Sequence, residues 1–157
     1  MKKLTKLFLS IFFVGYINFA PGTWGSLASI VIIFLLFNFL SPSLLILILT
    51  FIIVFFISNF LINYFSSFEN SHDSKHIVID EFLGIFFIFF FYDFVFIYNT
   101  FFTLLLIFLI FRFFDIIKIF PANYIDKNYK NGFGVILDDI IASIYTILTL
   151  VILNAFI

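Results

Sequence analysis

The stretch DEFLGIFFIFFFYDFVFIYNTFFTLLLIFLIFRFFDIIKIF, residues 80–120, decides the fold. It is about twice as long as the roughly 20 apolar residues that cross a bilayer as one helix. Asp93 and Asn99 interrupt it near the middle. We therefore interpret it as a helical hairpin whose two ends carry the charged residues. If it crossed the membrane only once, those charges would lie on opposite sides.

Other apolar segments flank this hairpin, and short polar segments separate them. The apolar segments are residues 27–40 (short for a crossing on its own), 44–65 and 135–157. The polar segments are the tight turn 41–43 and the loops 66–79 and 123–134. The sequence thus predicts an all-α fold, a multi-pass helical membrane protein that forms one compact bundle and one domain, residues 1–157.

The composition supports a membrane protein and excludes several classes of function. Hydrophobic residues make up 64% of the chain and charged residues 11%, and the mean hydropathy is +1.27. The net charge of -1 suggests no nucleic-acid partner. The absence of cysteine excludes disulfides, thiolate metal sites and a cysteine nucleophile.

The amino terminus imitates a secretory signal peptide. Lys2 and Lys3 precede an apolar run at residues 7–19. However, Asn18 is not the small residue that a cleavage site requires, and Pro21 follows closely. We interpret the segment as a short helix near the membrane surface that the mature protein retains.

The distribution of Lys and Arg sets the orientation. Lys2, Lys3 and Lys6 place the amino terminus in the cytoplasm. Four crossings then bring all eight Lys and Arg residues to the cytoplasmic side, together with residues 21–26 and the paired acids. The sequence therefore predicts one shared polar site at the cytoplasmic interface.

Two doubled carboxylates are the strongest candidates for a metal site. They are Asp80–Glu81 and Asp138–Asp139, each near the predicted start of a helix. Mg²⁺ prefers carboxylate oxygens and keeps some of its water. The alternative is that the acids complement the positive end of a helix dipole.

Arg112, Asp115 and Lys118 are three residues apart on a helix and therefore share a broad face. The functional interpretation is a phosphate clamp, because Arg offers a planar fork of donors and Lys a point charge. The alternative is a salt-bridged stripe, or Arg and Lys side chains that extend to lipid head groups.

Two glycine-containing segments could contact an anion. One is PGTWGS at residues 21–26, with the hydroxyls of Thr23 and Ser26, and the other is NGFG at residues 131–134. The alternative is a turn with a Ser or Thr helix cap. His72 and His76 lack the partners of a zinc site.

At these residues the chain closely resembles the phosphatidylglycerophosphatase A family. The family's blocks look like P-G-T-x-G-S, D-x-x-x-I-V-x-D-E, F-R-x-x-D-I-x-K-P-x-P and G-G-x-G-x-x-x-D-D. The matching blocks here are residues 21–26, 73–81, 111–121 and 131–139, in the family's order. Three positions depart from the pattern: Ile119 replaces a proline, Asn131 replaces a glycine, and His76 stands where the family often has glutamate.

The resemblance implies a Mg²⁺-dependent phosphatase of the bacterial inner membrane that converts the lipid phosphatidylglycerophosphate to phosphatidylglycerol, with its active site facing the cytoplasm. The carboxylates expected to act in catalysis are Asp80, Glu81, Asp115, Asp138 and Asp139, and those expected to hold Mg²⁺ are Asp80, Glu81, Asp138 and Asp139. The residues expected to bind substrate are Thr23, Ser26, Arg112 and Lys118. The oligomeric state stays open.

Two other classes of function are the alternatives for a membrane protein rich in acidic residues. A CDP-alcohol phosphatidyltransferase resembles D-G-x-x-A-R followed by G-x-x-x-D-x-x-x-D, and this chain has neither pattern. A transporter predicts charges at several depths and inverted repeats, and the sequence shows no internal repeat. Mg²⁺-dependent release of phosphate from a lipid phosphomonoester separates the phosphatase from both.

Overall fold

The computed structural model describes residues 2–69 and 74–156, and these residues are helical without any strand. The helices are α1 (Lys2–Leu9), α2 (Pro21–Leu40), α3 (Leu44–Glu69), α4 (Ile79–Phe89), α5 (Tyr92–Val95), α6 (Thr100–Ile117), α7 (Ala122–Asn128) and α8 (Gly132–Phe156), with a 3₁₀ turn at Val14–Tyr16. The predicted all-α fold is confirmed. The predicted roles of His72 and Asp73 fall outside the described residues.

Of the described helices, four are long and apolar enough to cross a membrane, namely α2, α3, α6 and α8. This confirms a multi-pass membrane protein. The first arm of the predicted hairpin is different, because α4 has only 11 residues. At 1.5 Å per residue it rises about 16 Å, roughly half of the hydrocarbon core. The short helix α5 and an irregular segment complete the path to α6.

The short helix α4 lies at the centre of the bundle. Eight of its 11 residues are buried, and α2, α3 and α8 pack around it. Fully buried side chains such as Leu83, Ile85 and Ile88 anchor it in the core. Because α4 is short and almost enclosed, its position depends on the longer helices that pack around it.

Several boundaries differ from the sequence prediction. Helix α2 begins at Pro21 rather than residue 27, so residues 21–26 are helical and not a capped turn. Proline suits the first position of a helix, where its missing N–H has no partner to lose. Polar residues also do not by themselves end a helix, so α3 continues through Glu69, and α7 lies inside the predicted loop 123–134.

The last helix begins at Gly132, three residues before the predicted start. The side-chain oxygen of Asn131 accepts a hydrogen bond of 2.9 Å from the N–H of Gly134. This is the bond by which asparagine caps a helix start. The asparagine at this position therefore fixes where α8 begins.

The side chain of Thr103 forms hydrogen bonds with polar groups of the irregular backbone between α5 and α6. Its buried hydroxyl oxygen lies 2.9 Å from the N–H of Ile97 and 2.9 Å from the carbonyl oxygens of Ile97 and Asn99. Asn99 in turn caps α6 by accepting a bond of 2.9 Å from the N–H of Phe102. Non-helical backbone inside a membrane protein needs such partners, because lipid offers none.

The amino-terminal segment packs over the start of α4. The N–H of Val78 donates to the carbonyl oxygen of Leu9 at 2.9 Å. The ring of His76 stacks on Tyr16, with ring centres 4.3 Å apart, and its Nδ1 lies 3.0 Å from the carbonyl oxygen of Gly15. These contacts hold the residues that lead into α4.

Gly84 allows α4 to approach α6 and α8 closely. A Cβ at this position would lie 2.9 Å from a ring carbon of Phe111 and 3.0 Å from the hydroxyl of Ser143. We expect Gly84→Val to lower the free energy of unfolding by about 1–3 kcal/mol through overpacking. Thermal unfolding of the wild type and the variant in the same detergent measures this difference in stability.

The control is Leu109→Val, at a side chain of α6 that is 53% exposed on the outer face. It should change stability by no more than about 0.5 kcal/mol. Equal melting temperatures for the two variants would contradict the close packing at Gly84.

Candidate active site

A polar cavity of about 240 Å³ lies at the end of the bundle where α4 begins and α6 ends. Its described lining residues are Pro21, Gly22, Ser74, Lys75, Ile77, Asp80, Glu81, Asp115, Lys118, Asp126, Val135, Asp138 and Asp139. The structure therefore brings together charged clusters that are far apart in the chain. We call this space the acidic cavity.

Three carboxylates of the acidic cavity form a compact group. Asp80, Glu81 and Asp139 each offer one oxygen, and these oxygens lie within 4.8 Å of one another. Glu81 and Asp139 are buried, and Oε2 of Glu81 has no hydrogen-bond partner among the described residues. Hard carboxylate donors at this spacing, with a buried oxygen left over, fit a divalent cation such as Mg²⁺.

The helix-dipole alternative explains only part of this group. Asp80 and Glu81 lie in the first turn of α4, where a dipole does favour negative charge. Asp138 and Asp139 lie in the second turn of α8, because that helix begins at Gly132. The dipole effect fades beyond the first turn. The dipole of α8 therefore does not account for the buried Asp139.

Arg112 connects three helices behind the acidic cavity. Its Nη1 donates to Oδ2 of Asp115 on its own helix, and it lies 3.6 Å from Oε1 of Glu81 on α4. It also lies 3.4 Å from the hydroxyl oxygen of Ser26 on α2. Arg112 is thus paired with a carboxylate of its own helix, as the salt-bridge alternative predicts, and it also approaches the predicted metal ligand Glu81. The predicted phosphate clamp stays a prediction.

Lys118 makes a second connection, at the end of α6. Its Nζ lies 2.7 Å from Oδ1 of Asp126 and 2.5 Å from Oδ2 of Asp138. Asp138 therefore faces Lys118, while its neighbour Asp139 joins the three-carboxylate group. Of the four carboxylates predicted to hold the metal, three therefore cluster and the fourth, Asp138, is paired with Lys118.

The contacts of Lys118 and Asp126 explain why the pKa values of both side chains are shifted. Burial favours the neutral form of Lys118, but its hydrogen bonds to Asp126 and Asp138 and their charges outweigh burial and raise the pKa above the ordinary value of 10.5. Burial likewise acts to raise the pKa of Asp126, but Lys118 outweighs it and holds that pKa below the ordinary value of 3.8.

Gly22 brings the start of α2 against the acidic cavity. A Cβ here would lie 2.4 Å from Oε1 of Glu81 and 3.1 Å from Nη1 of Arg112. The hydroxyl of Ser26, fully buried one turn later, donates to the carbonyl oxygen of Gly22 at 2.9 Å. As far as the chain is described, the lining of the acidic cavity does not include Thr23, Ser26 or Arg112.

The structure also adds residues that the sequence did not assign to the site. Asp126 and Lys75 line the acidic cavity, although neither is among the predicted site residues. No spacing rule connects Lys118 to Asp126, because Asp126 lies on the unpredicted helix α7 and a turn separates that helix from Lys118. His76, in contrast, is held by Gly15 and Tyr16.

The site carries an excess of negative charge. Its carboxylates are Asp80, Glu81, Asp115, Asp126, Asp138 and Asp139, and its cations are Lys75, Arg112 and Lys118. Six negative and three positive side chains leave a formal charge of about -3 among the described residues when all are ionised. Such an excess favours binding of a multivalent cation.

Two comparisons with known proteins agree on a family. The family model described as phosphatidylglycerophosphatase A matches residues 7–154. A protein of Haemophilus influenzae named phosphatidylglycerophosphatase A is 34% identical over 134 residues, which cover 85% of this chain and 78% of the relative. No solved structure matches the chain significantly.

The contact between Lys118 and Asp126 predicts how stability depends on pH. Because the pKa of Asp126 is lowered on folding, the pair contributes its full stabilisation above pH 3.8 and loses it as the pH falls through the lower folded value. Asp126→Asn should therefore reduce stability modestly, by about 0–1 kcal/mol, at pH 5–8. Below about pH 3 this difference should disappear.

Thermal unfolding of both proteins from pH 2.5 to 8 checks this dependence. The control is Asp93→Asn, whose exposed carboxylate lies on α5. A difference between wild type and Asp126→Asn that persists unchanged at pH 2.5 would show that charge pairing with Lys118 is not its cause.

Proposed function

Because the chain belongs to the phosphatidylglycerophosphatase A family, and is therefore a phosphatase, we propose that it hydrolyses phosphatidylglycerophosphate to phosphatidylglycerol and inorganic phosphate. The observation that carries this proposal is the acidic cavity at one end of a membrane-spanning bundle, with three carboxylate oxygens within 4.8 Å of one another. This reaction would complete the synthesis of phosphatidylglycerol.

Mg²⁺ is the cofactor that the carboxylate group fits best. Asp80, Glu81 and Asp139 would hold the ion, and the predicted ligand Asp138 would join them only on release from Lys118. When bound, Mg²⁺ supplies positive charge to phosphoryl oxygens and lowers the pKa of coordinated water. Multivalent positive charge is required here, because a phosphomonoester itself carries about two negative charges near neutral pH.

The cations of the chain have distinct proposed roles. Lys118 and Lys75 line the acidic cavity and would contact the phosphate directly. Arg112 would act as a positioning residue, because it pairs with Asp115 and Glu81. Ser26 supports Arg112 from α2. Thr23 remains a predicted substrate contact through the first turn of α2.

Asp115 is the carboxylate that we propose orients the attacking water. It lines the acidic cavity and its Oδ2 is fixed by Arg112. Water adds its oxygen to phosphorus and gives a proton to Asp115, the bond from phosphorus to the lipid oxygen breaks, and the lipid oxygen takes up that proton to become the hydroxyl of phosphatidylglycerol. A base held in place in this way avoids the cost of reorienting during the reaction.

We further propose that the protein lies in the bacterial inner membrane with the acidic cavity facing the cytoplasm. The supporting observation is the charge bias, since Lys75 and Lys118 line the cavity and α1, with three lysines, packs against the end of α3 near it. Positive residues accumulate on the cytoplasmic side of membrane proteins.

The transporter alternative loses its main support. It requires charged groups at several depths of the membrane. The acidic cavity instead gathers six of the acidic residues at one end of the described bundle.

Asp80→Asn should reduce the release of phosphate from phosphatidylglycerophosphate at least about 100-fold, because even outer partners of metal ligands are worth 10–100-fold. The protein should still fold, since asparagine has nearly the same volume. Phosphate release by purified protein, measured with Mg²⁺ and with a chelator, tests the requirement for Asp80 and the requirement for Mg²⁺. Asp93→Asn is the matched control and should retain normal activity.

Asp139→Asn tests the metal separately from turnover. We expect it to weaken the binding of Mn²⁺, used as a paramagnetic substitute for Mg²⁺, at least about tenfold. Electron paramagnetic resonance of free Mn²⁺ measures this affinity. Unchanged affinity in this variant would argue that the three-carboxylate group of Asp80, Glu81 and Asp139 is not the metal site.

A further inference from the structure

An apolar groove of about 600 Å³ lies beside the first turn of α4. Its walls come from four helices: Leu4 and Phe8 from α1, Ile32 from α2, Val54 and Leu61 from α3, and Phe82 from α4. Nearly all of its lining is hydrocarbon, and the hydroxyl-bearing Thr5 is buried. The volume is within the range of pockets that bind small molecules.

We propose that the apolar groove binds one acyl chain of the same lipid whose phosphate occupies the acidic cavity. This inference rests on the proposed function and names the part of the protein that recognises the tail of the substrate. Its occupant is thus an acyl chain of a lipid phosphomonoester.

The first argument is depth. Ile32 lies 11 residues beyond Pro21, where α2 begins, and Val54 lies 11 residues before Phe65, where the apolar span of α3 ends. At 1.5 Å per residue each is about 16 Å from the end of its apolar span. One leaflet contributes about half of a hydrocarbon core roughly 30 Å thick. The apolar groove therefore extends through about one leaflet, the depth that an acyl chain occupies.

The second argument is proximity to the acidic cavity. Ile79 lines the apolar groove, and the next residue, Asp80, lines the acidic cavity. Their Cα atoms are about 3.8 Å apart. A head group and a tail joined through glycerol could therefore occupy the two spaces on either side of one helical turn.

The third argument is charge. Helix α1 contributes Leu4 and Phe8 to the apolar groove and also carries Lys2, Lys3 and Lys6. Lysines beside a membrane surface attract anionic lipids. An anionic phospholipid would match both the apolar wall and the lysines carried by the same helix.

The nature of the walls also selects an acyl chain over a peptide. A peptide would bring backbone N–H and C=O groups into a groove whose lining is almost wholly apolar, and each unpaired group would be costly. A hydrocarbon chain has no such groups.

The test fills the apolar groove without touching the acidic cavity. Val54→Trp places a large ring in the groove, and Ile53→Trp is the matched control on the neighbouring residue, which is 57% exposed. Each protein is assayed on dioleoyl phosphatidylglycerophosphate in mixed micelles and on its deacylated, water-soluble counterpart.

We expect Val54→Trp to raise KM for the dioleoyl lipid at least about tenfold, the loss that corresponds to displacing only about two buried methylenes. Turnover of the deacylated substrate should stay within twofold of wild type, as should both activities of Ile53→Trp. An equal loss on both substrates, or no loss on either, overturns the inference. If Val54→Trp does not fold, Ile32→Trp also fills the apolar groove and is assayed in its place.

A second measurement does not depend on turnover. Phosphatidylglycerophosphate with a photoactivatable diazirine in one acyl chain is crosslinked to the wild-type protein and the labelled residues are identified. Labels at Phe8, Val54 and Leu61 support the inference, and labels confined to outer residues such as Ile53 and Phe56 overturn it. If wild type releases phosphate from neither substrate, the proposed function fails and crosslinking alone decides the groove.

Discussion

Carboxylates buried together at one end of a lipid-embedded bundle are the constraint on which this structure depends. Asp80, Glu81 and Asp139 offer oxygens within 4.8 Å of one another, and the side chains of Glu81 and Asp139 are buried, so their negative charge requires positive charge nearby. Arg112 supplies part of that charge from α6, and the remaining negative excess would attract a divalent ion. This requirement links the packing of the helices to the chemistry, since Arg112 and Lys118 each contact carboxylates on neighbouring helices.

Helix α4 carries this arrangement because it is enclosed. Its first turn holds two of the acids and its next turn contains Gly84, against which α6 and α8 pack closely. Gly22 admits α2 to the same region. Small residues at both places let the backbones approach, as is common between membrane helices. The geometry of the acids is therefore set by helix packing, which is stiffer than loop structure.

The sequence predicted the helical class and the meeting of the charged clusters, because long apolar runs and the positive-inside rule act over whole segments. It did not predict the division of the acids, since that depends on single residues. Asp138 contacts Lys118, whereas Asp139 lies in the group with Asp80 and Glu81, and this division depends on how α8 is rotated against its neighbours. Asp126 was missed because α7 interrupts the expected loop. The apolar groove has no residue signature, because leucine and phenylalanine occur on every surface of this chain.

The brevity of α4 has a consequence for biogenesis. Eleven residues provide too little hydrophobic length for stable insertion from the translocon as an independent span. This helix depends on its neighbours, and α8, which packs against it most extensively, follows it in the chain by more than 40 residues. Until α8 has emerged from the ribosome, a nascent chain contains Asp80 and Glu81 but not Asp139, the third member of their group. The three-carboxylate group can therefore assemble only after α8 has been synthesised.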